Sequence, residues 1–308
     1  MRRLLLVANP AASGFTSLLH RDVVEILQGG YQVTPVWPDG PTQARAAAID
    51  AAAEGYEAVV GMGGDGVVHQ IANGLAGTGT ALGVVPAGTT NVFSRILGVP
   101  RKPRDAAEAI AASTSTRVIP TLRLVYDGPD GPDSRVVTFA AGLGFDAEVI
   151  RESERRPLRK IGFGLVHYAR SAATVTMKGY RGRLPAIRVE GLGRSADAVA
   201  LVFQVHDTFT FLGRRRLTLS PSGGPLALTM RRVTTARMVR LVARAARGGD
   251  VGRIRGVRLW RGFATLTARA EPAEWLEADG ELIGKVSTLT ATPNTEGLCV
   301  VAVQNVRA

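Results

Sequence analysis

Apolar and polar positions along the first 120 residues follow two alternating patterns, short apolar runs and longer stretches with helical spacing. Leu4–Ala8 reads as a buried strand and Ser17–Leu27 as an amphipathic helix. Gln32–Trp37 is a second strand, and Pro41–Ala53 a helix with proline at its start, where the missing N–H costs nothing. Ala58–Gly61, Val67–Leu75 and Ala81–Val85 continue as strand, helix and strand. Short Val/Ile/Leu-rich strands between helices predict a parallel sheet covered on both faces, the doubly wound α/β class. From about Thr121 the period changes. Leu122–Tyr126, Val136–Ala140, Ala198–Val205, Leu226–Arg231, Phe263–Ala268 and Val286–Ala291 are short β-rich runs divided by turn clusters such as Asp127–Pro132. Helical spacing returns near Ala147–Glu154, Gly162–Ala173 and Thr235–Ala246. The pattern therefore predicts α/β plus β: an N-terminal doubly wound domain, residues 1–120, and a mainly antiparallel β domain over residues 121–292.

Composition changes this picture little, and charge changes it more. At 308 residues the chain is long enough for two domains with their own cores. No apolar run approaches the roughly 18 residues needed to span a bilayer. Met1-Arg2-Arg3 before Leu4–Ala8 has the basic start of a signal peptide, but the run breaks at Asn9-Pro10, so a first strand fits better. Cys299 is the single cysteine, which excludes intrachain disulfides and suits a reducing cytoplasm. The net charge is +12, and residues 1–120 contribute none of it, with nine Lys/Arg against nine Asp/Glu. Between Arg151 and Arg261 the count is 24 basic against 6 acidic residues, with clusters at Arg155-Arg156, Arg159-Lys160 and Arg214-Arg215-Arg216. Genomic base content would bias both halves alike. The asymmetry points to an anionic partner for the second half, membrane or nucleic acid.

The most informative segment is Val59–Gln70, where an apolar run ends in Gly61-Met62-Gly63-Gly64-Asp65-Gly66 and a helical pattern follows at once. A strand feeding a glycine loop at a helix N-terminus lets the backbone approach phosphate, with N–H groups and the helix dipole aimed at the anion. A carboxylate there would repel phosphate, so Asp65 needs another purpose: a metal, a proton, or a hydroxyl to orient. The segment also fits GxGxxG, yet no acid stands about 20 residues on to hold a ribose, and the loop follows the third strand. No GxxxxGK[ST] is present, which excludes a P-loop enzyme. Asp279-Gly280-Glu281 lies between Trp275-Leu276 and Leu282-Ile283. Asp-Gly between apolar residues reads as a hairpin turn, and equally as a turn carrying a carboxylate able to take a proton from a hydroxyl. His20, His69, His167 and His206 have no metal-ligand spacing and read as surface or packing residues.

Together the motifs resemble the diacylglycerol kinase catalytic-domain family of soluble lipid kinases, including bacterial diacylglycerol kinases and sphingosine kinases. The residues carrying the resemblance run in order along nearly the whole chain: Asn9–Gly14, Gly63–Gly66, Pro86–Phe93, Gly142–Glu148 and Asp279–Glu281. The resemblance implies an N-terminal nucleotide (ATP)-binding domain, completed by residues 293–308, and a β-sandwich domain carrying the lipid site. It implies ATP against Asn9, Ser13, Gly14, Gly63, Gly64, Asp65, Gly66, Val67, Thr89 and Asn91. Glu281 matches the family's proton acceptor, Asp65 and Asp279 would organise Mg2+ and substrate, and Asp146 would sit near the substrate cleft.

Several positions depart from that pattern. Val67 stands where bacterial members commonly have Thr, Gln70 replaces a usual Glu and Val92 a frequent Asp. Leu219–Leu226 lacks the Asp of members with a structural magnesium site, so that second metal is not expected. The expectation is an ATP- and Mg2+-dependent lipid kinase, cytoplasmic and peripherally bound to an anionic membrane surface through its basic second domain. A catalytically degenerate lipid or nucleotide sensor of the same fold is the alternative, and a nucleic-acid-binding protein a weaker one. Aromatic content is 6% and the basic clusters lack interleaved aromatics, so no nucleic-acid partner is expected.

Overall fold

The structure, a computed structural model, describes residues 2–154, 174–175, 179–180 and 182–303. The chain divides into two compact units, residues 1–121 with 295–308, and residues 122–294.

The first unit is built from β1 (Arg3–Ala8), α1 (Ser17–Gln28), β2 (Gln32–Val36), α2 (Pro41–Ala53), β3 (Ala58–Gly63), α3 (Asp65–Leu75), β4 (Ala81–Pro86), α4 (Val92–Leu97) and α5 (Pro103–Ala111). β1 pairs in parallel with β2 and β3, and β3 with β4, so the order is β2-β1-β3-β4. Every residue of β3 and β4 is buried, as a sheet covered on both faces requires. α1 packs with α5, and α2 with α3. A Cβ at Gly74 of α3 would lie 2.8 Å from the Ala48 Cβ of α2, so glycine sets how closely these helices approach. Thr16 starts α1 by accepting the Leu19 N–H, and Pro41 starts α2. α3 begins at Asp65, two residues before the stretch the pattern marks as helical. Chain order reverses between β1 and β3, the position in an open α/β sheet where ligands commonly bind at the carboxyl ends of the strands.

The second unit takes up most of β5 (Thr116–Gly128), then β6 (Gly131–Val137), β7 (Ala140–Gly144), α6 (Phe145–Glu154), β8 (Ile187–Gly191), β9 (Arg194–Ala198), β10 (Ala200–Gln204), β11 (Thr210–Leu212), β12 (Arg215–Leu217) and β13 (Leu226–Met230). α7 (Thr235–Ala246), β14 (Val257–Arg261), β15 (Leu266–Ala278) and most of β16 (Glu281–Val301) follow. β5 with β6, β7 with β10 and β15, β8 with β9 and β15, β10 with β13, β11 with β12, β13 with β14, and β15 with β16 pair antiparallel. β15 joins two strand groups: Thr267–Ala270 pair with β8, and Leu276–Ala278 with β7, across a register shift between Arg269 and Glu274. A strand that changes partners at an irregularity turns the corner of a packed β structure. The core inside includes Leu122, Leu143, Phe203, Trp260 and Leu276, with the Trp260 Nε1–H donating to Thr229 Oγ1 at 3.0 Å.

The end of β16 belongs to the first unit, where Val300 pairs in parallel with Leu82 of β4. The Ser113 hydroxyl donates to the Ala302 carbonyl at 2.8 Å, fastening this return. Several strands differ from the sequence pattern: Leu122–Tyr126 and Val286–Ala291 lie within the longer β5 and β16, and Ala198–Val205 is divided between β9 and β10. Val136–Ala140, expected as one strand, is broken at Thr138-Phe139, because those N–H groups donate to the Asp279 carboxylate instead of a neighbouring strand. Phe263–Ala268 starts later, at Leu266, and runs on to Ala278. The helix expected over 162–173 and the basic clusters at 155–160 lie outside the described residues. Among the described residues no helix is long and apolar enough to cross a membrane.

Candidate active site

Three loops meet at the carboxyl ends of β1, β3 and β4. The chain leaves β1 in a turn in which Asn9 Oδ1 accepts the Ala11 N–H at 2.9 Å, while the Asn9 N–H donates to the Met62 carbonyl of β3 at 3.0 Å. Gly14 N–H donates to the Ala87 carbonyl at 2.8 Å, and a Cβ at Gly14 would lie 2.9 Å from that oxygen. The loops after β3 and β4 touch glycine to glycine: a Cβ on Gly88 would stand 2.5 Å from Gly64 Cα. A Cβ on Gly63 would meet Val67 Cγ1 at 2.6 Å and Asn9 Cβ at 3.4 Å. No Cβ fits at Gly88 against the backbone of Gly64, nor at Gly63 against the Val67 side chain, which is the physical reason for these two glycines. The first N–H groups of α3, on Asp65, Gly66 and Val67, have no intrahelical acceptors, and they carry the positive end of the helix dipole.

The side chains of these loops largely tie the loops together. Ser13 Oγ and Thr89 Oγ1 are 3.1 Å apart, a hydrogen bond between the first and third loops. Asn91, left-handed at φ 47°, accepts the Gly88 N–H through Oδ1 at 3.1 Å and donates Nδ2 to the Gly88 carbonyl at 2.7 Å. Asp65 Oδ2 accepts the Val92 N–H at 2.9 Å and Oδ1 the Phe93 N–H at 3.0 Å, so this carboxylate caps α4 and fixes the third loop from the second. Backbone capping is thus a purpose for Asp65 that the motif alone does not reveal. Val67 is buried, and its methyl lies against Gly63. His69 is buried one turn on, with Nε2 3.3 Å from Asn73 Nδ2, a packing role as the sequence suggests.

In the second unit Asp279 and Gly280 have φ of 53° and 84°, the two positive values of a tight turn joining β15 to β16. Asp279 is 2% exposed. Its Oδ2 accepts the Thr138 N–H (2.8 Å) and hydroxyl (3.0 Å), and its Oδ1 the N–H groups of Phe139 (2.8 Å) and Ala140 (3.2 Å). Four donors engage the carboxylate, which holds the β6–β7 corner. Asp146, expected at a substrate cleft, is buried at the start of α6 beside Glu277. A Cβ on Gly142 would fall 2.7 Å from Asp146 Oδ2 and 3.0 Å from Glu277 Oε1, so glycine makes room for the pair. Burial first, and then the charge of Asp146, push the Glu277 carboxyl well above the usual carboxylate range. Glu277 Oε2 also accepts the Gly280 N–H at 2.9 Å. Glu277 is the site residue that sequence reasoning missed. Its one signal is an acid two positions before the turn, in a strand otherwise turned inward. Glu281 pairs with Ala278 across the turn and is half-buried, and among the described residues no hydrogen bond or ion pair engages its carboxylate.

Comparison with known proteins agrees with this geometry. Residues 3–121 match the family model described as the diacylglycerol kinase catalytic domain. That segment belongs to the diacylglycerol kinase catalytic domain family, as its motifs imply. The diacylglycerol kinase of Mycobacterium tuberculosis (strain ATCC 25618 / H37Rv) is 37% identical over 147 residues, 47% of this chain and 43% of that protein. The diacylglycerol kinase of Bacillus subtilis (strain 168) is 34% identical over 106 residues, 33% of this chain and 35% of that protein. The chain therefore spans less than half the length of these relatives. In fold, a proposed diacylglycerol kinase from Bacillus anthracis str. Sterne superposes with a TM-score of 0.75 at 16% identity, covering 97% of this chain and 96% of that one. An NAD kinase from Archaeoglobus fulgidus, solved in complex with ATP, gives a TM-score of 0.52 at 11% identity, covering 99% and 94%.

Proposed function

We propose that this chain is an ATP-dependent lipid kinase that phosphorylates a hydroxyl of diacylglycerol or a related lipid at a membrane surface. The observation that carries the reading is the glycine cradle, in which Gly63 and Gly88 leave no room for a side chain in front of the α3 N-terminus. Backbone N–H groups of Gly64, Asp65, Gly66 and Val67 bind the nucleotide phosphates, with Asn9, Ser13, Gly14, Thr89 and Asn91 shaping the loops around them. Phosphoryl transfer consists mainly of positioning and charge stabilisation, which a rigid backbone cradle supplies. Glu281 accepts the proton of the attacking lipid hydroxyl, a task suited to an otherwise unengaged carboxylate. Asp279 and Glu277 hold the turn that carries it.

Mg2+ accompanies the nucleotide in this reading, and it would neutralise charge building up on the phosphates. The donor set fits one residue and not another. Asp65 accepts backbone N–H groups of Val92 and Phe93 on its two oxygens, and a carboxylate oxygen can take more than one partner. Such a single carboxylate, with phosphate oxygens and water, is an ordinary Mg2+ environment. Asp279, with four donors, does not fit.

Transfer of label from γ-labelled ATP to a panel of lipids in anionic mixed micelles, wild type beside Glu281→Ala, tests the proposal. Labelled lipid with wild type alone supports it and identifies the lipid. A second reading, a nucleotide- or lipid-binding sensor without turnover, is favoured by Val67, whose buried methyl offers the cradle no hydroxyl. ATP binding without transfer to any lipid would overturn the kinase and leave the sensor.

A further inference from the structure

Helix α7 buries one stripe and exposes two others. Thr234 starts it by accepting the Arg237 N–H at 3.2 Å. Met238, Leu241 and Ala245 pack into the second unit's core. Val239 and Val242 do the opposite, with 62% and 40% of their surface exposed. At 3.6 residues per turn, Val239 and Val242 share one outward strip, and Arg237, Arg240, Arg244 and Arg247 form the adjacent one, with Ala243 between them at the groove edge. The arginine strip borders a groove of about 410 Å³ lined by Arg240, Arg244, Arg247, Arg253 and Arg255.

Charge here is lopsided even for this chain. Residues 208–270 hold 14 arginines and one acid, Asp250. That acid is paired with Arg261 at 2.8 Å, so no carboxylate neutralises the groove arginines among the described residues. Arg244 is steadied by donating Nε to the Asp250 carbonyl at 2.7 Å, a contact that positions its charge without cancelling it. An exposed apolar strip beside a cationic strip marks a helix that lies in a lipid interface. A nucleic acid would satisfy the arginines but leave Val239 and Val242 uncovered. Residues 235–256 also contain no aromatic side chain on which a base could stack.

We propose that the exposed face of α7 with its arginine groove is the docking surface for an anionic phospholipid bilayer. Val239 and Val242 enter the acyl boundary, and the groove arginines take headgroup phosphates. The inference deepens the lipid-kinase reading and rests on it only for the purpose of docking.

The test is co-sedimentation of the full chain with vesicles of phosphatidylcholine alone or with about 30% phosphatidylglycerol, an anionic surface. Wild type is compared with R240Q/R255Q, V239S/V242S, and the charge-matched control R123Q/R269Q, whose arginines are exposed elsewhere on the unit. Wild type and control bind the anionic vesicles and not the neutral ones. R240Q/R255Q binds about 30-fold more weakly, at about fivefold per arginine, and V239S/V242S about tenfold more weakly. Transfer to a water-soluble short-chain diacylglycerol reports separately on the kinase. Retained transfer with lost vesicle binding supports both readings. Lost vesicle binding in a chain that never transfers phosphate leaves the docking surface standing and removes the kinase. Equal vesicle binding by all four proteins, or preference of wild type for a DNA duplex over the anionic vesicles, overturns the proposal.

Discussion

The loops of the first unit and the acidic turn of the second use their motif residues differently. In the loops, the hydrogen bonds that Ser13, Asp65, Thr89 and Asn91 make here join one loop to the next or close a loop on itself. The turn also spends two acids on the backbone, Asp279 on the β6–β7 corner and Glu277 on Gly280, but it leaves Glu281 outside that service. A phosphate cradle needs mainly N–H groups in a fixed array, so most of its side chains can be structural. A base must be a side chain, and the ones around it must hold the turn without competing for the proton. The difference teaches that a motif acid is available as a base only where the backbone has not already claimed it.

Glu281→Gln should have the largest effect on turnover. It keeps shape and removes the proton acceptor, so lipid phosphorylation should fall by about 10²–10⁴-fold with unfolding by urea unchanged. Retained turnover would show that the turn does not supply the base and would erase the contrast with the loops. Asp279→Ala should act through the fold instead. Three buried N–H groups and one hydroxyl lose a charged acceptor, and stability should drop by about 3–5 kcal/mol. Urea midpoints measured beside near-ultraviolet circular dichroism would check it. A variant as stable as wild type but inactive would return Asp279 to the chemistry.

Gly88→Ala breaks the other side of the comparison. The new methyl would sit 2.5 Å from Gly64 Cα and 2.8 Å from Asn91 Oδ1, a clash with backbone that cannot rotate away. Strain of about 1–3 kcal/mol is expected, with nucleotide binding at least about tenfold weaker by titration with a fluorescent ATP analogue. Unchanged binding would mean that the cradle is not where phosphate lies.

Much of this was legible in the sequence for identifiable reasons. Strict apolar runs made β1, β3 and β4 visible, and glycines after β3 and β4 marked the loops, because only a missing Cβ permits the Gly64–Gly88 approach. The break at Thr138-Phe139 was not legible, since its cause is a carboxylate some 140 residues away. The engagement of Asp279 was hidden for the same reason: Asp-Gly announces a turn but not what lies beneath it. Glu277 was hidden because an isolated acid in a strand ordinarily faces water, and only the fold reveals that it faces Asp146.

That hidden pair gives the smallest and most specific prediction. Burial, reinforced by Asp146, raises the Glu277 carboxyl, so the native chain holds a proton that the unfolded chain releases once pH exceeds its ordinary value of 4.5. The unfolded state then binds fewer protons than the native one, and stability falls as pH rises through the interval up to the raised value. For one proton the slope is at most about 1.4 kcal/mol per pH unit. Glu277→Gln keeps an oxygen for the Gly280 N–H and presents an uncharged amide to Asp146. It should match wild type near pH 5 and exceed it in urea resistance at pH 8. Parallel pH profiles for the two proteins would mean that Glu277 is ionised in the native state, and that the turn carrying Glu281 rests on a charged pair of acids instead of a protonated one.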